Sequence, residues 1–198
     1  LGALDRKLRE EMQLEIKRLH RMLGTSLLYV THDQDEAMTM SDRICLMRDG
    51  RIEQVGSPSE LYFRPQTIFS ADFLGNSNFI DAEVVGSDDK RVRLKLAGGE
   101  IVQAKVNSHS PRSGKVRLMV RPERVRLGSA APHSDSNEIS ATIVDSMLIG
   151  QVTRVYANLA GGASISATSL TGETNEVLTP GSSHTLHWTI DDTLVFPA

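Results

Sequence analysis

Along the first third of the chain, apolar positions come first at helical spacing and then in one continuous run. Leu4, Leu8, Met12, Ile16, Leu19 and Leu23 recur every three or four residues, which predicts an amphipathic helix stopped at Gly24. On its other face Arg6 with Glu10 and Lys7 with Glu11 stand four apart, the spacing of a solvated, salt-bridged surface. SLLYV, residues 26 to 30, is apolar throughout and predicts a strand buried on both faces, as in a parallel α/β sheet. A helix start follows at Asp33, whose carboxylate can cap free amides while Glu36 reaches back in the manner of a capping box. ICLMRDGRIEQVG predicts a hairpin turning at Asp49-Gly50. SPSELYFRP predicts another helix, with Ser57 as cap, Pro58 in the first turn, Glu60 completing the box and Pro65 beyond the end.

From about residue 79 the rhythm changes to short alternating strands separated by Gly, Ser and Asn turns. A repeat appears there. IDAEVV at 80–85 matches ISATIV at 139–144, and LKLAGGEIVQA at 94–104 matches ANLAGGASISA at 157–167. SGKVRLMV at 113–120 has a looser counterpart in PGSSHTLHW at 180–188. The pattern predicts two small β-barrel halves, about 79–128 and 138–198, joined by GSAAPHSDSN. Alternatively, the second half completes the first through swapped strands.

Composition narrows the function classes. The 198 residues are 39% hydrophobic and 24% charged, with a net charge of −3, so charge gives no reason to expect nucleic acid. The β region does hold KRVRLKL and KVRLMVRPERVR. Few aromatics accompany them, namely Phe79, Tyr156, Trp188 and Phe196, so a solvated strand face is expected rather than a stacking groove. The single cysteine, Cys45, excludes an internal disulfide and, within RICLM, is expected to be buried. No apolar run reaches membrane-spanning length and no signal peptide opens the chain. LGALD begins without methionine and reads as a cut inside a longer protein.

The candidate chemistry sits where SLLYV discharges into His32, followed by Asp33, Asp35 and Glu36. Three readings stand: an inert, hydrogen-bonded histidine at a strand end, a metal ligand, and a contact to phosphate. Metal is disfavoured, because Asp33 and Glu36 are already explained as capping groups and no second histidine lies within ligand spacing. The phosphate reading rests on position. A side chain at the carboxyl end of a parallel strand faces the crevice where α/β proteins bind ligands. A neutral imidazole there can donate to a terminal phosphate oxygen and orient the attacking water.

Context selects among them. LGALD, the long helix, LLYVTHD, a short helix ending SDRI, and then LMRDGRIEQVGSPSELYFRP together resemble, in this order, the ATP-binding subunits of ABC transporters. GALD is similar to the D-loop, His32 in VTHDQDEA to the H-loop histidine, and RDGRIEQVGSPSELY to the segment closing the nucleotide-binding domain of the importer subgroup. RPERVRL at 121–127 and DSMLIGQVTRVYANLAGG resemble the C-terminal, OB-like TOBE domain of those importers. FLGNSNFIDAEVV with WTIDDTLVF leans toward the polyamine branch.

The resemblance implies an α/β remnant over residues 1–78, the C-terminal part of an ABC nucleotide-binding domain, followed by an all-β OB-like TOBE region over 79–198. It further implies a homodimer that sandwiches ATP with Mg2+ and drives permease subunits from the cytoplasmic face of the inner membrane, with no nucleic-acid partner. His32 would contact the γ-phosphate, and Asp5 would lie at the dimer seam as part of the nucleotide site. Asp5 can also be read as the N-cap of a helix starting at Arg6. The chain departs from the family pattern in one large respect. It has no G-x-x-x-x-G-K-[ST] phosphate loop, Q-loop, signature motif or Walker B strand. By itself it is therefore expected to hold neither ATP nor Mg2+ and to hydrolyse nothing, while the 27–30 strand would lack neighbours and expose apolar faces. The competing class is a free-standing OB-like regulatory or small-ligand module without ATPase activity.

Overall fold

The computed structural model describes residues 2–106, 110–130, 135–172 and 178–198; for residues 2–7 and for residue 10 it describes the backbone alone. The linker residues 131–134 lie outside the described residues. The chain forms two compact units, Leu1–Gly75 and Asn76–Ala198.

In the first unit, α1 spans Gly2–Leu23 and ends at Gly24, whose φ of 61° is the left-handed value a helix stop favours. Because α1 begins at Gly2, Asp5 lies inside the helix. The reading of Asp5 as the cap of a helix starting at Arg6 is therefore corrected. α2 (Gln34–Met40) follows, then the hairpin of β1 (Ile44–Arg48) and β2 (Arg51–Gly56), with Asp49 and Gly50 both at positive φ in the turn. α3 (Pro58–Phe63) carries the full capping box. Glu60 accepts the Ser57 N–H and the Ser57 hydroxyl, and these bonds hold its carboxyl below the ordinary glutamate range.

α4 (Ile68–Phe73) is an element the apolar pattern does not announce. Thr67 makes it: its hydroxyl accepts the Ser70 N–H and donates to Glu53 at 2.6 Å. The buried Gln54 side chain donates to the Arg64 carbonyl and accepts the Gln66 N–H, tying the α3–α4 link to β2. The core of this unit is small: Ile44, Leu46, Leu61 and Leu74, with Ala37, Met38, Phe69 and Phe73 packed against them.

Two expectations fail here, each for its own reason, while the exposure expected of residues 27–30 is observed. SLLYV forms no strand, and Leu28 and Val30 are 90% and 87% exposed. A continuous apolar run becomes a buried strand only where neighbouring strands supply a ladder, and β1 and β2 pair with each other alone. Cys45 is exposed rather than buried. On β1 the inward positions are Ile44 and Leu46, so strand alternation sends Cys45 outward.

The second unit is all-β. Its strands are β3 (Asn78–Ser87), β4 (Arg91–Leu96), β5 (Ile101–Lys105), β6 (Gly114–Val120), β7 (Arg126–Leu127), β8 (Ser136–Ile149), β9 (Val152–Leu159), β10 (Ser164–Leu170), β11 (Ser183–Thr189) and β12 (Leu194–Pro197). They form two five-stranded antiparallel sheets, β12-β6-β3-β4-β5 and β7-β11-β8-β9-β10. Each strand of one repeat has its counterpart five strands later. A bulge recurs at the matching place, between Val84 and Gly86 and between Ile143 and Asp145.

The exception to this order is at the sheet ends. β7 belongs in sequence to the first repeat but pairs with β11, and β12 belongs to the second but pairs with β6. The repeats thus exchange their last strands. One core forms between the sheets, including Ile80, Leu94, Leu118, Ile143, Leu186 and Trp188. Burying each such side chain contributes roughly 1.5–3 kcal/mol.

Matched polar clamps close the sheets on each other. Asn78 donates to the Ser166 carbonyl at 2.8 Å and accepts the Ser166 N–H at 2.7 Å. Asn137, its repeat counterpart, donates to the Gln103 carbonyl at 2.8 Å and accepts the Gln103 N–H at 2.7 Å. Each amide satisfies the free backbone groups of an edge strand, β10 or β5, as another strand would. The two Leu-Ala-Gly-Gly turns also meet. A Cβ on Gly161 would stand 2.5 Å from the Gly98 nitrogen, so neither turn has room for a side chain there.

Candidate functional site

The turn that carries His32 is held by hydrogen bonds rather than by burial. Asp33 caps α2, its carboxylate accepting the Glu36 N–H at 3.1 Å. Glu36 does not return that bond to the Asp33 amide, which corrects the capping-box expectation. One of its carboxylate oxygens instead accepts the Thr31 hydroxyl at 2.7 Å and the Tyr29 hydroxyl at 3.0 Å. The Thr31 oxygen takes the Asp33 N–H at 2.9 Å. The Tyr29 hydroxyl is held above its ordinary pKa, first by its hydrogen bond to Glu36, then by desolvation and by the Glu36 and Asp33 charges. Arg9 of α1 lies 3.6 Å from the Asp33 carboxylate, and Lys17 of α1 donates to the Thr39 carbonyl at 2.7 Å, so α1 is bound to both ends of α2.

His32 itself is exposed between these anchored neighbours. Its imidazole is open to a phosphate oxygen, a fit to one contact of a nucleotide. No Gly-rich phosphate loop is present in the sequence to hold the rest of one. Among the described residues no group of three His, Cys, Asp or Glu side chains is placed to hold a metal ion. Asp5 lies in α1, and its side chain is outside the described residues, as are those of Arg6, Lys7 and Glu10.

In the β unit three basic side chains of the strands have acidic partners. Arg117 pairs with Asp81 at 2.9 Å, Arg91 with Asp135 at 2.8 Å and Lys105 with Asp191 at 3.1 Å. Of these, Arg117 and Asp81 face each other across neighbouring strands, as opposite charges on a solvated sheet face do, whereas Asp135 and Asp191 lie outside the strands. Arg121, from RPERVRL, is buried and donates to the Asn76 carbonyl and the Ser77 hydroxyl, so it braces the entry to β3.

Sequence reasoning missed Thr31 and Tyr29 as partners of Glu36, and it missed the two asparagine clamps. The clamps had a signal. Ser-Asn opens both repeats, at Ser77-Asn78 and at Ser136-Asn137, two residues before the quoted matches begin.

The fold has a solved counterpart. The cytoplasmic molybdate-binding protein ModG matches with a TM-score of 0.55 and 20% identity, over 61% of this chain and 96% of that one. That likeness shows the OB-like fold alone. In sequence, the chain is 43% identical to the spermidine/putrescine import ATP-binding protein PotA of Ruegeria pomeroyi, over 82% of this chain and 43% of that protein. It is 37% identical to the protein of the same name from Rubrobacter xylanophilus, over 95% of this chain and 49% of that one. With the counterpart from Pseudomonas aeruginosa the identity is 41%, over 82% of this chain and 45% of that one. The chain thus spans less than half the length of each of these relatives. Residues 118–196 match the TOBE domain family. On these matches the chain carries a TOBE domain and is similar, over most of its own length, to the ATP-binding subunits of spermidine/putrescine importers.

Proposed function

We propose that this chain is part of a subunit that couples ATP binding and hydrolysis to solute uptake, with polyamines such as putrescine and spermidine as the cargo. The observation that carries the reading is its similarity, over 82–95% of its length, to proteins named for spermidine and putrescine import. Within it, His32 contacts the γ-phosphate of ATP, and Asp5 lies where two copies of the subunit meet. The whole subunit works as a homodimer with Mg-ATP, on the cytoplasmic face of the membrane, against permease partners. Among the described residues no helix is long and apolar enough to cross a membrane. The β unit serves as its regulatory domain.

The chemistry asked of His32 is modest. A hydrogen bond aimed at the charge that develops on a transferred phosphoryl group is worth about 10²–10³ in rate. ATP turnover by the whole subunit is the test. His32→Ala lowers kcat by about that factor, whereas turnover at the wild-type rate in that variant would contradict the assignment. The 198-residue chain alone turns over no ATP; Mg-dependent hydrolysis by it would contradict the view that its phosphate-binding parts lie elsewhere.

A further inference from the structure

From the ring of hydrogen bonds around His32, we infer that Glu36 is a positioning residue for that histidine, acting through Thr31. The inference rests on the reading of His32 as the phosphate contact. The geometry is a closed circuit. The Glu36 carboxylate accepts the Thr31 hydroxyl, the Thr31 oxygen accepts the Asp33 N–H, and the Asp33 carboxylate accepts the Glu36 N–H. His32 lies between two members of the circuit, Thr31 and Asp33, and its own side chain takes no part in these bonds. Both its neighbours are hydrogen-bonded, which restrains its backbone, while its imidazole stays exposed.

Capping does not require this arrangement. Asp33 alone satisfies the Glu36 amide, and α2 is only 7 residues long with no buried residue of its own. The Glu36 carboxylate spends its bonds on the residues that precede His32, Thr31 and Tyr29, rather than on the helix it belongs to. A side chain that must meet a phosphate oxygen at hydrogen-bond distance gains from a rigid base, since a misplacement near 1 Å costs up to about a hundredfold in rate. Burial does not provide that rigidity here: His32 is exposed, and the residues on either side of it are only half-buried.

Two measurements test the proposal. In the 198-residue chain, NMR reads the exchange rate of the Asp33 amide and the backbone coupling of His32. Thr31→Val and Glu36→Ala are expected to speed exchange at Asp33 and average the coupling at His32, while Thr31→Ser and Glu36→Gln keep both. In the whole subunit, the first pair of variants lowers kcat about tenfold or more at unchanged KM for ATP, and the second pair retains it. Glu36→Ala adds no loss in a His32→Ala background, because both changes remove one function. Thr31→Val and Thr31→Ser carry the comparison should Glu36→Ala fail to fold.

Unchanged exchange and coupling in Thr31→Val and Glu36→Ala would overturn the proposal. So would normal kcat in those variants while His32→Ala is inactive, an outcome that leaves the phosphate reading standing. Full turnover in His32→Ala would sink the phosphate reading itself, and the inference with it.

Discussion

Asn137 shows how much one side chain can hold. Its amide meets the N–H and the carbonyl of Gln103 and also donates to Thr193 at 3.1 Å, which in turn accepts the buried Trp188 indole N–H at 2.9 Å. Alanine at this position leaves a backbone donor and a backbone acceptor of an edge strand without partners. The expected loss is about 1–3 kcal/mol, read as a lower urea midpoint at unchanged slope. Asn78→Ala removes only the bonds to Ser166, so its loss is expected to be the smaller of the two. An unchanged midpoint in Asn137→Ala would mean that the clamp carries no stability. At this scale the sequence was half legible. The repeated Ser-Asn was visible, but its partner Gln103 is 34 residues away, and Ser166 is 88 from Asn78, distances at which a local pattern says nothing. Caps were easier, since Asp33 and Ser57 act on amides three residues on. Glu36 was misread because two hydroxyls, at Thr31 and Tyr29, compete for its carboxylate and win.

Among the elements, those defined by local chemistry were readable and those defined by partners were not. The Asp49-Gly50 turn fixes the β1–β2 hairpin by itself, because both residues adopt positive φ. SLLYV carries the signal of a buried strand, yet that signal states only a preference for apolar surroundings; without a ladder the run stays irregular and exposed. β12 poses the same difficulty in another form. Its alternation fits either sheet equally well, so the repeat was evident while the exchange of last strands was left as one of two possibilities. Once seen, the exchange makes a prediction. Removing residues 194–198 uncovers the edge of β6 and takes the buried Val195 and Phe196 out of the molecule. Two such side chains contribute roughly 3–6 kcal/mol together. Amide exchange should therefore accelerate across β6 and β3, in the sheet that belongs to the other repeat. Loss of protection confined to β11 and β8 would show that β12 supports its own repeat instead.

For the whole molecule, function was legible through the order of motifs more than through any one of them. A lone Thr-His-Asp is weak; followed by the hairpin, the capped helix and the doubled β repeat, it resembles one family, and relatives at 37–44% identity are named as import ATP-binding proteins. The absence of strand neighbours for residues 27 to 30, and hence their exposure, was legible; that they would form no strand was not. The proposed subunit drives uptake with ATP held at a site that includes His32. The most direct test is uptake of labelled putrescine and spermidine by cells in which the gene has been deleted and then restored. Uptake is expected to be lost on deletion, to return with the wild-type gene and not to return with His32→Ala. Undiminished polyamine uptake in the deleted cells, or full restoration by His32→Ala, would contradict it.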